Sequence, residues 1–203
     1  MGATYTSFYF LCFFAVVLLF YYLIPKKMQW VMLLISSIAY YLLAGNGILI
    51  LYPISTCLIA WIGIWILERT KESRKRKAVL LAVVFSQIMV LSVLKYINFG
   101  IGFLIPLGIS FYTVTVIGYV IDVYNGIAKG QKNPGKLLLY GMFFPTVLSG
   151  PILRYREDGD QFFEAHVFDY KQVTFGIQRM VWGFFKTLVI SERMSVIVNT
   201  VYG

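Results

Sequence analysis

Four apolar segments, each close to twenty residues long and divided by short charged or glycine-rich breaks, fill the first half of this 203-residue chain. They run from Ser7 to Ile24, Met28 to Ala44, Ile48 to Leu67 and Ala78 to Ile97. The first is ended by Pro25-Lys26-Lys27 and the second by Gly45-Asn46-Gly47. A helix needs about 17 to 25 apolar residues to cross the hydrocarbon layer. Only helices and closed barrels satisfy their own backbone there. The succession therefore predicts an all-α, polytopic membrane protein. Composition agrees: 59% of residues are hydrophobic and only 13% charged, against about 25% charged in soluble domains. With a mean hydropathy of +0.76, the chain has more apolar side chain than one small core can enclose, and the bilayer is its natural solvent.

The charge is +9, from 18 Lys+Arg against 9 Asp+Glu, and its placement matters more than its size. Between the third and fourth segments lies Glu68 to Lys77, ERTKESRKRK, six of whose ten residues are basic. Basic loops mark the cytoplasmic side, and such a loop is also compatible with a patch for anionic lipid. Lys26-Lys27, two spans earlier, falls on the same side. The turns at Gly45-Asn46-Gly47 and Asn98-Phe99-Gly100 carry no charge, as outer turns should. The expected topology has an extracytoplasmic N-terminus and a cytoplasmic 68–77 loop. No basic face lies outside these loops, which excludes nucleic acid as a partner. Cys12 and Cys57 sit in apolar runs, where a cysteine packs as a small hydrophobe. With one histidine, His166, they are too few for a zinc site, so no metal is expected. Phe8 to Ile24 has no basic residue before it and no small-residue cleavage site after it, so it reads as a retained span rather than a signal peptide.

From Ile101 the pattern changes. Ile101 to Tyr124 is long enough to span but is interrupted by Pro106 and Gly108, carries Ser110, Tyr112, Thr113 and Thr115, and ends near Asp122. The following connection holds Lys129, Lys132 and Lys136 and a Pro134-Gly135 turn. Leu137 to Leu153 is apolar but broken at Pro145 and again at Ser149-Gly150-Pro151, with Arg154 and Arg156 directly after. A complete crossing would carry these arginines outside, against the positive-inside rule. A re-entrant hairpin returning to the cytoplasmic face removes the conflict. Broken backbone at that depth must be buried in protein or line a wet cavity. Glu157 to Tyr170 is polar, with Phe162, Phe163 and Phe168 interspersed, and is compatible with an interfacial helix. Val173 to Ile190 is a further apolar segment whose Gln178, Arg179 and Lys186 should face protein or water.

These residues carry a resemblance. Val93-Leu94-Lys95-Tyr96-Ile97-Asn98-Phe99, then Ile105 to Thr113 (IPLGISFYT) with Ile117-Gly118-Tyr119 and Ile121-Asp122-Val123-Tyr124, then Phe143-Phe144-Pro145 with Ser149-Gly150-Pro151-Ile152 and Arg154, resemble in order and spacing the blocks of the membrane-bound O-acyltransferase family. The alginate O-acetyltransferase-like branch is the most similar, and the teichoic-acid D-alanyl transfer proteins are more distant. The resemblance divides the chain into four N-terminal spans over 1–98, matched family motifs over 99–157 and a connector with a further span over 158–203. It implies transfer of an acetyl or acyl group to a hydroxyl acceptor, in this branch a cell-surface or extracellular polysaccharide of bacteria. It implies acyl-coenzyme A or another acyl thioester as donor, no tightly bound cofactor, and a secreted or membrane acetylation partner. The family's key histidine belongs to a later Trp- and Arg-rich segment that this chain does not contain. The chain is therefore expected to be an N-terminal portion, inactive by itself. His166 lies outside every matched motif and does not fill that role.

On this reading Pro106, Ser110, Tyr112, Thr113, Pro145, Gly150, Pro151, Arg154 and Arg156 are candidates to line an acyl-donor path. Prolines and glycines free backbone groups to face a cavity, or simply allow tight packing. The arginine forks suit a donor's phosphates, or anchor the chain at the interface. Ser110, Tyr112 and Thr113 line the path, or hydrogen-bond between helices. Asp122 pairs with a nearby Lys or Arg, or is a helix-end charge. A small transporter or channel would also use broken helices, though no internal repeat of the kind transporters carry is visible. A non-catalytic membrane scaffold is the third reading.

Overall fold

The computed structural model describes residues 7–45, 47–96, 106–147, 150, 152–159 and 161–191, together with 193, 194, 196, 198 and 200. Among these residues there are helices and turns and no strand. The chain divides into two compact units, Met1–Ala165 and His166–Gly203.

The first unit is a helical bundle. Helix α1 (Phe8–Leu23) is capped by Ser7, whose hydroxyl accepts from Phe10 N–H. A 3₁₀ turn at Lys26–Met28 leads into α2 (Gln29–Ala44). Helix α3 covers Leu51–Arg69 and α4 covers Ser73–Tyr96. Counting the 3₁₀ turns, three helices among the described residues are by length and composition apolar enough to cross a membrane: Lys26–Ala44, Gly47–Arg69 and Ser73–Lys95. Helix α1, at 16 residues, is a little short of the expected length. The basic segment 68–77 is less of a loop than its charge suggests. Only Thr70, Lys71 and Glu72 leave the helical path, and Arg74 to Lys77 form the first turn of α4. Lysine and arginine are good helix formers, and Glu72 holds Lys75 at 2.7 Å.

Helices α3 and α4 lie close because Gly63 presents no side chain to Val83, whose methyl group would stand 2.4 Å from a Cβ there. Buried Gln87 ties the pair by donating to the Thr56 carbonyl at 2.9 Å. Small residues and interhelical polar bonds are the usual means of association where lipid is as apolar as the side chains.

Helix α5 (Ile109–Tyr124) packs on both α3 and α4, and the shorter α6 (Pro134–Met142) packs on α2, α3 and α5. Asn133 starts α6 as its N-cap, accepting from Gly135 N–H at 2.9 Å, with Pro134 in the first turn, where its missing N–H costs nothing. Over Glu157 to Tyr170 no interfacial helix is found among the described residues: α7 is a single turn, Tyr155–Asp158, and residues 161–169 are turns and irregular chain. The reason is aromatic. Phe162 turns inward onto Phe143 at 4.7 Å and Tyr140 at 6.2 Å, and Phe163 lies under the Lys136 ammonium at 4.4 Å.

The second unit contains α8 (Tyr170–Phe185), capped by Asp169, whose carboxylate accepts from the N–H groups of Lys171 and Gln172. It widens into π-type turns over Lys186–Ser191. No residue of α8 is buried.

Candidate functional site: a re-entrant hairpin docked on a broken helix

The segment from Asn133 to Tyr155 enters the bundle and returns to the end it left. Its first limb is α6. The helix stops at Met142 because Pro145 has no N–H to continue the ladder and its ring would strike the preceding turn. Phe143 leaves the helix (φ −55°, ψ 115°). Its carbonyl then gathers the turn, accepting from Thr146 N–H at 3.0 Å, Val147 N–H at 3.1 Å and the Thr146 hydroxyl at 3.1 Å. Gly150 N–H donates to Thr146 O at 3.2 Å as the chain turns back. On the returning limb the Leu153 carbonyl accepts from Tyr140 Oη of α6 at 2.8 Å, so the two limbs lie side by side.

The mouth of this hairpin stands at the basic end of the bundle. Arg76, at the start of α4, donates to Tyr124 O at the end of α5 (2.9 Å). Gly130 N–H donates to Glu68 at the end of α3 (2.9 Å), and Trp61 Nε1 donates to Lys132 O (3.2 Å). Lys136 approaches Trp30 at the start of α2. Lys26, Lys27, the 69–77 bases, Lys129, Lys132, Lys136, Arg154 and Arg156 are therefore carried by termini and connections that meet at one end.

Three tyrosines close that mouth. Tyr119 Oη accepts from Gln131 N–H at 2.7 Å and donates to Lys129 O at 2.8 Å. Tyr155 lies on Tyr119 with ring centroids 4.0 Å apart and meets Tyr140 edge-on at 5.1 Å, while its hydroxyl accepts from Gln131 Nε2 at 3.2 Å. Every one of these phenols is hydrogen-bonded, and their rings are buried among α3, α5 and α6.

The tip is built differently. Phe144 packs against Phe10, Phe13, Phe14 and Tyr40 with centroids 5.4 to 6.3 Å apart. Its N–H, released by the helix break, donates to Ser37 Oγ of α2 at 3.2 Å, and that hydroxyl donates to Leu33 O at 2.8 Å. Ser37 thus stands in for the missing helical partner. Val147 meets the other broken segment. Gly108 sits at φ 68°, ψ 17°, and accepts from Phe111 and Tyr112 N–H to start α5. A Cβ on Gly108 would fall 1.9 Å from Val147 O. Left-handed backbone and direct backbone contact together require glycine. Helix α5 rises about 1.5 Å per residue over its 16 residues, so the docking point is roughly 24 Å along α5 from the basic end.

The sequence candidates fall into three groups. Pro106, Tyr112 and Thr113 are buried at or near the start of α5. Pro145 and Gly150 lie half-buried at the hairpin tip. Arg154 and Arg156 are exposed at the mouth, where Arg154 reaches Glu157 at 3.7 Å. Tip and mouth are ends of one hairpin rather than one cluster. Ser110 takes a hydrogen bond from Lys95 Nζ at 3.4 Å, which links two of the matched motifs. Pro151 lies outside the described residues. Asp122 forms no ion pair among the described residues; its main-chain carbonyl accepts from Ile127 and Ala128. His166 is exposed. No group of three or more His, Cys, Asp or Glu side chains suited to a metal occurs among the described residues.

Tyr112 stands apart. Its hydroxyl is buried with no hydrogen-bond partner among the described residues, the only side-chain oxygen or nitrogen there of which this is so. An orphaned hydroxyl of this kind costs about 1–3 kcal/mol and calls for an explanation when a native structure keeps it. Residues that sequence reasoning passed over are Ser37, Gln131, Tyr140 and Tyr155.

A helical bundle with membrane-length apolar helices and two backbone breaks defines the class, and the relatives define the family. Over 183 residues the chain is 30% identical to a protein of Pseudomonas aeruginosa named "Probable alginate O-acetylase AlgI", a match covering 81% of this chain and 35% of that protein. A protein of the same name from Azotobacter vinelandii is 30% identical over 158 residues, 68% of this chain and 31% of that one. A teichoic acid D-alanyltransferase of Lacticaseibacillus rhamnosus is 44% identical over 50 residues, covering 25% of this chain and 12% of its own length. The chain belongs to the membrane-bound O-acyltransferase family, alongside the alginate O-acetylases. It spans about a third of the length of the curated relatives it matches. No family model and no solved structure matches it.

Proposed function

We propose that this chain forms part of a membrane O-acyltransferase that moves an acetyl or other acyl group to a hydroxyl of a cell-surface or extracellular polysaccharide. The hairpin Asn133–Tyr155 is one wall of the path by which the acyl donor enters, and Arg154 and Arg156 grip the donor at its mouth. The donor is an acyl thioester such as acetyl-coenzyme A. The basic end faces the cytoplasm, where that donor is made, and a secreted or membrane partner completes delivery to the polymer outside.

The observation that carries this reading is the return of the hairpin to the basic end. It leaves two exposed guanidinium groups beside a deep, backbone-broken element. Planar forks of N–H donors suit phosphate oxygens, and a coenzyme thioester carries several. Acylation of polymers in the names of the alginate O-acetylase and teichoic acid D-alanyltransferase relatives supports the reaction class. The buried Tyr112 hydroxyl, without a partner among the described residues, is a donor held ready inside the bundle, close to the docked tip.

The test is acetyl transfer from acetyl-coenzyme A by membranes holding the full-length protein. Replacing both Arg154 and Arg156 by Ala is expected to raise the donor KM about tenfold, the effect of about 1.4 kcal/mol of lost binding, with kcat little changed. An unchanged donor KM overturns the role given to the arginines.

A further inference from the structure

A cavity of about 180 Å³ lies between α1, Leu33 of α2 and the hairpin tip residues Phe144 and Pro145. We propose that it holds one acyl chain of an anionic phospholipid, whose phosphate sits on Lys26 and Lys27.

The lining is apolar save for two phenols. Phe14, Val17 and Leu18 supply the α1 side, and Tyr21 and Tyr22 stand at one end. Its size argues against a whole cofactor, since pockets for small molecules run from about 300 Å³ upward. A segment of hydrocarbon chain has the right polarity and width. The direction is fixed by the sequence. Helix α1 ends at Leu23, and the exposed Lys26 and Lys27 follow Tyr22 within one short turn. Tyrosine and lysine in that order are what the headgroup level of a membrane favours. Gln29 Nε2 donates to Tyr21 O at 3.4 Å, which folds the lysine turn back beside the tyrosine end of the cavity. A chain entering between Tyr21 and Tyr22 and running toward Phe14 covers eight residues of α1, about 12 Å at the helical rise. Phe144 and Pro145 line the same cavity, so the lipid also touches the hairpin tip. This proposal does not depend on acyl transfer.

The full chain is reconstituted in vesicles of equal parts phosphatidylglycerol and phosphatidylcholine, re-extracted in mild detergent and examined by native mass spectrometry. One phosphatidylglycerol per chain is expected to stay bound. Leu18→Trp fills the cavity and should lower that retention at least tenfold. Leu19→Trp, on the exposed side of α1, should leave it unchanged and controls for damage to the helix. Replacing Lys26 and Lys27 by Glu should erase the preference for phosphatidylglycerol. Retention that survives Leu18→Trp, that Leu19→Trp abolishes equally, or that never favours phosphatidylglycerol overturns the proposal.

Discussion

The mouth and the tip of the hairpin solve the same problem in opposite ways. At the mouth, three buried tyrosines place their hydroxyls on main-chain groups and on Gln131, so side chains carry the polar accounting of an irregular segment. At the tip, the irregular backbone is held mainly by shape: aromatic rings around Phe144, a glycine that lets two backbones touch, and one serine for one freed N–H. The mouth lies at the basic end of the bundle, where a directional network fixes position. The tip lies roughly 24 Å along α5 from that end, among aromatic rings that offer no partner for a stray polar group, and close packing is the remaining means. Among the described residues, the lone buried hydroxyl without a partner, Tyr112, belongs to the tip's cluster rather than the mouth's. A network fully satisfied within the protein is complete.

The sharpest way to break this contrast is Gly108→Ala. The substitution forces a side chain onto a left-handed backbone and into Val147 O, and a loss of about 4 kcal/mol or more is expected. Thermal unfolding in detergent, with Gly118→Ala as a control where a Cβ meets nothing within 4 Å, reads the difference. Next comes Tyr119→Phe at the mouth. It keeps the ring but orphans Gln131 N–H and frees the Lys129 carbonyl, costing about 1–3 kcal/mol. Hydrogen exchange at residues 129–133 should quicken while the tip stays protected. The smallest effect on stability is expected for Tyr112→Phe, within about 1 kcal/mol and of either sign, because no hydrogen bond is lost. In the acetyl-transfer assay the same variant should lower kcat. A destabilisation as large as that of Tyr119→Phe would mean that the Tyr112 hydroxyl has a structural partner.

Much of the architecture was written in local pattern. Segment lengths and the placement of lysines and arginines made the membrane spans legible, and Pro106, Gly108 and Pro145 marked the breaks. The fold-back of the 133–155 segment was the reading that the positive-inside rule favours for Arg154 and Arg156, and its two limbs do lie side by side. What the sequence hid is non-local. Nothing near Gly108 says that Val147 will lie against it, and nothing near Ser37 says that it will serve Phe144. The tyrosine collar was invisible because its rings come from α5, α6 and α7 and meet only once the hairpin has closed. The interfacial helix with which Glu157 to Tyr170 is compatible does not form for a related reason: the hairpin offers Phe162 and Phe163 Tyr140, Phe143 and Lys136 as partners. Helical Arg74–Lys77 shows the converse error, in which charge was read as loop although the residues themselves favour helix.

The central claim is that Asn133 and Arg156 face the same side of the membrane. Single cysteines at Lys75, Asn133, Arg156 and Gly47, in a background with Cys12 and Cys57 replaced by Ala, can be labelled in intact cells and in inverted vesicles with an impermeant maleimide. The re-entrant hairpin predicts that positions 75, 133 and 156 label together from one side and position 47 from the other. Labelling of position 156 from the side of position 47 would mean that the segment crosses the membrane, and would contradict it.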